Sequence, residues 1–277
     1  MSTLLFLKRK EISVCKRVIE LAYRRDNSSF VKNLDLINLL VFMYFYFLNC
    51  DPKRPKWSER DYFFVSNSSN LDYLIYSVLS EVGFFNFNNL ESVKSKGILV
   101  KGILPGIENT TLSAGQGVSQ AVGLAYSLKM DEKKNKVFCL VGDGELNNGV
   151  IWESVDFAIK HSLDNIYFIV NSNGDWEGLG GNLENMLRGF GVRVINFDVC
   201  DTMQISKAFS SGVEMNGKPI FFIASRKSSD GSFDDIRDEL SDRDYRWDKV
   251  GYEKCLSILD RRYGELTRDL NEVGDDD

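Results

Sequence analysis

The chain has 277 residues, of which 43% are hydrophobic, 27% are charged and only 4 are proline. This composition is typical of a globular protein and excludes a disordered or fibrous one. The formal net charge of −6 argues against general nucleic-acid binding, which needs a basic surface. The length allows a substantial core, and we expect a single domain over 1–277 whose acidic end, 265–277, is frayed.

The cysteines and the longest apolar stretch indicate the compartment. The five cysteines are scattered, without a Cys-x-x-Cys pair. Their odd number, together with the lack of a leader peptide, favours free thiols in a reducing cytoplasm. The stretch from Leu36 to Leu48 is too short for a membrane span and predicts a buried helix. We therefore expect a cytoplasmic protein with neither membrane nor nucleic-acid partners.

The amino-terminal half predicts mostly helices. The first predicted elements are a surface helix over 8–25 and an apolar helix over Asn33–Asn49. A strand at Tyr62–Val65 and a helix at Asp72–Val82 follow. The next helix opens at Ser113–Gly117 and runs to about Met130. Small residues at the last helix start would let an anionic ligand approach backbone N–H groups. Close helix packing explains the same residues, and the sequence does not decide between the two.

The second half alternates between strands and helices. The predicted strands are Lys136–Val141, Asn165–Val170, Val192–Val199 and Lys218–Ala224, with a helix at Asn148–Ser162 and another between the last two strands. Nearly continuous apolar strands are typical of a sheet covered on both faces. The pattern predicts an α/β fold with a doubly wound, mostly parallel sheet and helices on both faces.

Two polar turns follow neighbouring strands of this predicted sheet. Gly142 and Gly144 flank Asp143 after one strand, and Asn173 follows the next. Open α/β sheets bind ligands at the carboxyl ends of their strands, and the glycines allow a ligand close to the backbone. Carboxylate and carboxamide oxygens suit Mg²⁺, which is usually shared with a phosphate. Each turn alone is more often structural, but their joint spacing indicates a site for a diphosphate cofactor.

Taken in order, the motifs resemble the N-terminal, diphosphate-binding part of the transketolases, which use thiamine diphosphate and Mg²⁺. The motifs that carry the resemblance are Leu34–Ile37 with Asp51-Pro52, Trp57 and Arg60-Asp61; Pro105-Gly106 with Ser113–Gly117; Gly142–Leu146 with Trp152-Glu153; and Leu163–Asn165 with Asn173-Gly174. Each motif is weak by itself. The ordered series covers most of the chain and is specific.

The resemblance implies a cofactor-binding role for several positions. Asp143 and Asn173 would bind Mg²⁺ through side-chain oxygens, and Asp175 would bind it through its backbone carbonyl. The turn Gly142–Glu145 would contact the diphosphate, so Glu145 is also a predicted cofactor-binding residue. The cofactor's aminopyrimidine would lie along Ser113, Ala114 and Gly115.

The catalytic candidates follow from one match to the family pattern and from the departures from it. Glu153 matches one of two acidic positions near a partner subunit, whereas Asn148 occupies the other. Ser69 or Asn70 stands where the family has a histidine, and the only histidine, His161, is expected at a helix end. In place of a family segment that often contains histidine, the chain has Asp198-Val-Cys-Asp201. Serine and asparagine bind hydroxyls but are poor proton shuttles at neutral pH.

The resemblance also implies a partner. Transketolases continue into a pyrimidine-binding domain whose glutamate protonates the aminopyrimidine, and this domain is not in the 277 residues. Split transketolases have this layout. We therefore expect a C-terminal transketolase-like subunit as the partner, a cofactor bound at the interface and a heterotetramer of two plus two subunits. The missing histidines suggest transfer of a two-carbon ketol or acyl unit to or from a non-standard sugar or keto acid.

Two other functions remain open. The first is a non-catalytic structural or regulatory subunit that retains the transketolase fold, which the missing histidines favour and the retained Asp143 and Asn173 disfavour. The second is a stand-alone phosphohydrolase that uses Asp143 as its nucleophile. It is disfavoured because nothing near Asp143 in the sequence supplies the second acid or the lysine such enzymes usually carry.

Overall fold

A parallel sheet lies at the centre of the fold. The computed structural model describes residues 3–26, 29–67, 71–91, 99–110, 112–172, 182–213, 217–227, 233–240 and 247–273. In these ranges the strands are β1 (Tyr62–Val65), β2 (Val137–Gly142), β3 (Ile166–Ser172), β4 (Arg193–Asp198) and β5 (Ile220–Ser225). They lie in the order β1-β2-β3-β5-β4, and every neighbouring pair is parallel.

Helices connect these strands. They are α1 (Thr3–Arg25), α2 (Leu36–Phe42), α3 (Asp72–Val82), α4 (Gln116–Met130), α5 (Gly149–Lys160), α6 (Leu183–Gly189), α7 (Thr202–Gly212), α8 (Asp234–Glu239) and α9 (Lys249–Val273). Short 3₁₀ segments occupy Ser29–Asn33, Phe87–Glu91 and Asp143–Asn147, and a π-helical turn occupies Met43–Phe47.

Side chains along β2 divide between two apolar clusters. Phe138 and Leu140 lie in one cluster with residues of α1, α2, α3, α7 and α9. Val137, Cys139 and Val141 lie in the other, with residues of α4, α5 and α6. Because successive residues of a strand point to opposite faces, helices cover both faces of the sheet. The predicted doubly wound parallel fold is confirmed.

The predicted strands agree with the observed ones to within two residues at each end. β1 and α3 begin and end at the predicted residues. All five cysteines are free thiols, as predicted. Over the ranges given above, none of the helices combines the length and the apolar character needed to cross a bilayer.

The first helix differs from the prediction in position and burial. It begins at Thr3 and is not a surface helix, because Cys15, Val18, Ile19 and Ala22 are completely buried. Their spacing of three and four places them on one face of a helix, and that face packs into the cluster around Phe138 and Leu140. Because charged residues lie between these positions, the sequence did not indicate that this face of the helix is buried.

The predicted helix over Asn33–Asn49 is divided. α2 ends at Phe42, and the π-helical turn that follows is closed by a hydrogen bond of 2.7 Å from the backbone N–H of Leu48 to the carbonyl of Met43. Phe42 and Phe47 both contact Phe209, with ring centroids 5.9 and 5.2 Å away. A π turn has more residues per turn than an α-helix, so it brings these positions, five apart, to one face.

The last helix extends into the carboxyl-terminal segment 265–277, whose frayed state stays a prediction. α9 continues through residues 265–273. Leu266 packs against the apolar cluster that contains α1, and Arg9 donates a hydrogen bond of 3.3 Å to the hydroxyl of Thr267. These contacts with α1 hold this part of the helix. Residues 274–277 lie outside the described ranges.

Candidate functional site

The turn after β2 carries a buried carboxylate. β2 ends at Gly142, and the 3₁₀ segment Asp143–Asn147 leads into α5. The side chain of Asp143 is only 2% exposed, and its Oδ1 accepts a hydrogen bond of 2.9 Å from the backbone N–H of Gly144. Gly144 itself is exposed. A buried acid therefore lies beside accessible backbone at the carboxyl edge of the sheet, where the sequence predicted a ligand.

The next strand ends beside this turn. Gly142 pairs in register with Asn171 of β3, and β3 continues to Ser172. The chain thus leaves both strands at the same edge, as the predicted Mg²⁺ site requires. Asn173 and Asp175, the other predicted ligands, lie outside the described residues, so their roles stay predictions.

The donor set fits a hard cation. Asp143 supplies a carboxylate, and the predicted ligands at 173 and 175 would add a carboxamide oxygen and a backbone carbonyl, which is the chemistry that Mg²⁺ prefers. Within the described ranges, no three His, Cys, Asp or Glu side chains are close enough together to form a metal site. A cation held by Asp143 would therefore need further ligands of other kinds, such as those predicted in the segment after β3.

Glu145 has a role that the sequence did not predict. Its Oε1 accepts hydrogen bonds from the hydroxyl of Ser66 at 2.8 Å and the backbone N–H of Gly115 at 2.9 Å. Its Oε2 accepts one from the backbone N–H of Gly142, also at 2.9 Å. Both carboxylate oxygens thus have donors from the protein. Glu145 thus connects three parts of the chain, and the cofactor contact expected of it stays a prediction.

The segment before α4 contacts the same carboxylate. Ser113 is exposed, Ala114 is half-buried, and Gly115 is buried with a φ of +81°. A Cβ on Gly115 would lie 2.6 Å from Cγ1 of Val150, and a Cβ on Gly117 would lie 2.3 Å from the Val65 carbonyl oxygen. Close packing therefore accounts for both glycines. Contact of Ser113 and Ala114 with a ligand remains a prediction.

The catalytic candidates fall into two groups. The side chain of Glu153 is exposed on α5, where a partner could reach it. Ser69 and Asn70 lie outside the described residues. His161 is exposed at the end of α5, with its ring 4.2 Å from that of Phe157, so its predicted place at a helix end is confirmed.

The two acids of the segment Asp198–Asp201 stabilise local structure. Asp198 is buried and accepts a hydrogen bond of 3.0 Å from the backbone N–H of Cys200. Asp201 caps α7 by accepting hydrogen bonds from the backbone N–H groups of Met203 and Gln204. Burial, with Asp35 and Asp198 nearby, raises the pKa of the Cys200 thiol to about 12. A raised pKa lowers the fraction of nucleophilic thiolate at neutral pH, which disfavours a catalytic role for Cys200.

The sequence did not predict the burial and hydrogen bonds of two polar residues at strand ends. Ser66, directly after β1, is completely buried and bonds to Glu145. Asn171, near the end of β3, is also buried, and its Nδ2 donates to Oδ1 of Asn33 at 3.2 Å. A polar residue directly after an apolar strand was the available signal, but such residues are common in ordinary loops.

Comparison with known proteins identifies the family. The family model for the transketolase thiamine diphosphate binding domain matches residues 31–222. The chain is 31% identical to the 6-deoxy-6-sulfo-D-fructose transketolase subunit SqwG of Clostridium sp., over 68% of this chain and 72% of the relative. It is 30% identical to one of the subunits of the apulose-4-phosphate transketolase of Phocaeicola vulgatus, over 76% of this chain and 78% of the relative.

Solved transketolases share the fold. The enzyme of Campylobacter jejuni matches with a TM-score of 0.69 and 21% identity, over 98% of this chain and 49% of that chain. The enzyme of Leishmania mexicana matches with a TM-score of 0.68 and 17% identity, over 99% and 48%. The chain thus spans about half the length of these solved enzymes. It belongs to the transketolase family and contains the family's thiamine diphosphate binding domain.

Proposed function

We propose that the chain is the diphosphate-binding subunit of a two-subunit transketolase that transfers a two-carbon ketol or acyl unit. The observation that carries the proposal is the buried carboxylate of Asp143 at the carboxyl end of β2, beside the end of β3. Membership of the transketolase family supports thiamine diphosphate as the cofactor. The relatives from Clostridium and Phocaeicola are themselves named as subunits, which supports a two-subunit enzyme.

The described residues would hold the cofactor by its diphosphate. When bound, thiamine diphosphate supplies the thiazolium carbon at which a two-carbon unit is carried. Asp143 would bind the Mg²⁺ that neutralises the diphosphate, and the exposed backbone at Gly144 would lie against it. Asn173 and Asp175 complete the proposed ligand set. Ser113 and Ala114, before α4, would lie along the aminopyrimidine.

A partner subunit completes the proposed site. It would supply the pyrimidine-binding domain and the glutamate that the family uses to activate the cofactor. Glu153 is exposed on α5, and we place it at the contact with the partner. A heterotetramer of two plus two subunits would pair two such sites.

The proposed substrate differs from the ordinary phosphosugars. The chain has one histidine, and it lies where α5 ends before β3 begins. In a parallel sheet this is the edge opposite the carboxyl ends of the strands, so His161 cannot serve the site. The relatives are named for 6-deoxy-6-sulfo-D-fructose and apulose 4-phosphate. A non-standard sugar or a keto acid fits a site to which this chain contributes no histidine.

A second candidate function is a non-catalytic subunit that retains the fold. The position of His161 and the presence of Asn148 in place of an acid favour it. The buried Asp143 disfavours it, because burying a polar side chain at a strand end is costly. Cofactor binding distinguishes the two functions.

The test is reconstitution with a C-terminal transketolase-like subunit. We expect Mg²⁺-dependent binding of thiamine diphosphate by the pair in calorimetry, and turnover with a panel of modified ketoses and 2-keto acids. The chain alone should show no turnover, so activity of the pure chain would refute the need for a partner. Conversion of xylulose 5-phosphate and ribose 5-phosphate at ordinary transketolase rates would refute the substrate proposal. A pair that assembles but binds no cofactor would support the non-catalytic alternative.

A further inference from the structure

We infer that Glu145 is a positioning residue that sets the spacing between the two backbone segments proposed to hold the cofactor. The inference rests on the proposed function, which assigns 113–115 to the aminopyrimidine and 142–144 to the diphosphate. It assigns Glu145 no contact with the cofactor itself.

The carboxylate of Glu145 joins three parts of the chain. The hydroxyl of Ser66 comes from the end of β1, the N–H of Gly115 from the start of α4, and the N–H of Gly142 from the end of β2. The three donor–acceptor distances lie between 2.8 and 2.9 Å. Because one planar group accepts all three bonds, a shift of either segment relative to the other distorts its hydrogen bond to Glu145.

The bond to Gly115 also satisfies the backbone N–H of the N-cap residue of α4. Gly115 is the N-cap residue of α4, and no side chain caps the helix from this position. Glu145 lies 30 positions further along the chain and supplies a carboxylate to the N–H of this residue. A negative charge near a helix amino terminus is stabilising. The start of α4 is thus held by the turn that carries Asp143.

Burial makes these bonds hard to replace with water. Glu145 is 9% exposed and Ser66 is completely buried. Backbone N–H groups that lose their acceptor in such a place are costly. Glutamine has one acceptor oxygen and one NH₂ donor, whereas the carboxylate has two acceptors. The substitution Glu145→Gln therefore turns a donor toward at least one of the N–H groups of Gly115 and Gly142.

The experiment compares three variants in the reconstituted pair: Glu145→Gln, Ser66→Ala, and Asp156→Asn as the control. Asp156 is an exposed acid on α5 whose side chain bonds to Lys160. Binding of thiamine diphosphate with Mg²⁺ is measured by calorimetry. Amide hydrogen exchange is followed in peptides that cover 113–118 and 141–147. The kcat is measured at saturating cofactor.

For Glu145→Gln we expect cofactor binding about tenfold weaker, and faster exchange in both peptides. Its kcat at saturating cofactor should stay within about threefold of the wild type, because the change affects positioning and not chemistry. Ser66→Ala keeps both backbone bonds, so its affinity should fall about threefold. Asp156→Asn should match the wild type in every measurement.

Several results would contradict the inference. Faster exchange in 141–147 alone would show that Glu145 does not couple the two segments. Unchanged affinity in a folded Glu145→Gln variant would overturn the positioning role. If that variant does not fold, Ser66→Ala decides, because it removes one of the three bonds that hold the carboxylate in place. Unchanged affinity and exchange in this variant would overturn the inference. If the wild-type pair binds no thiamine diphosphate, the proposed function fails, while the exchange comparison still tests the coupling.

Discussion

Gly142 of β2 and Asn171 of β3 are partners in the same register of the parallel sheet. The residue after Gly142 is Asp143, and Asn173 follows Asn171 by two positions. Adjacent parallel strands end at one edge, so this pairing brings together the ends of the two strands that precede the polar turns. The carboxylate of Asp143 is buried at that edge.

The first prediction concerns Asp143. Asp143→Ala should weaken Mg²⁺-dependent binding of thiamine diphosphate by the reconstituted pair by about 100-fold or more, since loss of groups that only support metal ligands already costs 10- to 100-fold. The fold should persist, because the residue lies at a strand end. Calorimetry at several Mg²⁺ concentrations measures the effect, and Asp156→Ala on α5 is the control. An unchanged Mg²⁺ dependence would show that the site assignment is wrong.

The second prediction concerns Glu153, whose side chain is exposed on α5. Glu153→Gln should change the free energy of unfolding of the isolated chain by less than about 0.5 kcal/mol, as for most surface substitutions. In the assembled pair it should lower kcat by about tenfold or more, if this acid takes part in proton transfer with the partner. Steady-state kinetics and urea unfolding measure the two effects. Full turnover by the variant pair would remove Glu153 from the catalytic candidates.

The third prediction compares two glycines of α4. A Cβ on Gly117 would lie 2.3 Å from the Val65 carbonyl oxygen, whereas a Cβ on Gly123 would meet nothing within 4 Å. Gly117→Ala should lower the free energy of unfolding by about 3 kcal/mol, because backbone atoms of β1 must move. Gly123→Ala should raise it by up to about 1 kcal/mol, through the higher helix propensity of alanine. Urea unfolding of both variants checks this, and equal effects would contradict the packing of α4 on β1.

The fourth prediction is a pH dependence at Glu11, which is 1% exposed. Burial raises the pKa of its carboxyl above the ordinary value of 4.5, and the neighbouring Lys8 opposes this only in part. The folded state therefore binds this proton more tightly than the unfolded state, and stability is lost as the pH rises from about 4.5 through the raised pKa.

Glu11→Gln removes this titration. Its free energy of unfolding, relative to the wild type, should increase between pH 4.5 and neutral pH. Urea unfolding of both proteins at the two pH values measures the difference, and Asp156→Asn controls for an exposed acid. A wild type that gains stability over the variant as the pH rises would contradict the assignment.

Much of this protein could be predicted from local patterns. Apolar runs marked the strands, and glycines around Asp143 marked the turn after β2, because strand burial and turn geometry depend on residues close together in the chain. The ordered motifs identified the family before any contact was known.

Tertiary structure decided the rest. The spacing of apolar residues in α1 did not say that its face would lie in the core, and the run of aromatic residues after α2 did not predict the π turn against Phe209. Ser66 and Glu145 are 79 positions apart. Their hydrogen bond depends on the adjacency of β1 and β2, which local periodicity does not encode. A carboxylate in a signature motif suggests contact with a ligand, and only the tertiary structure shows that Glu145 accepts hydrogen bonds from three separate parts of the chain.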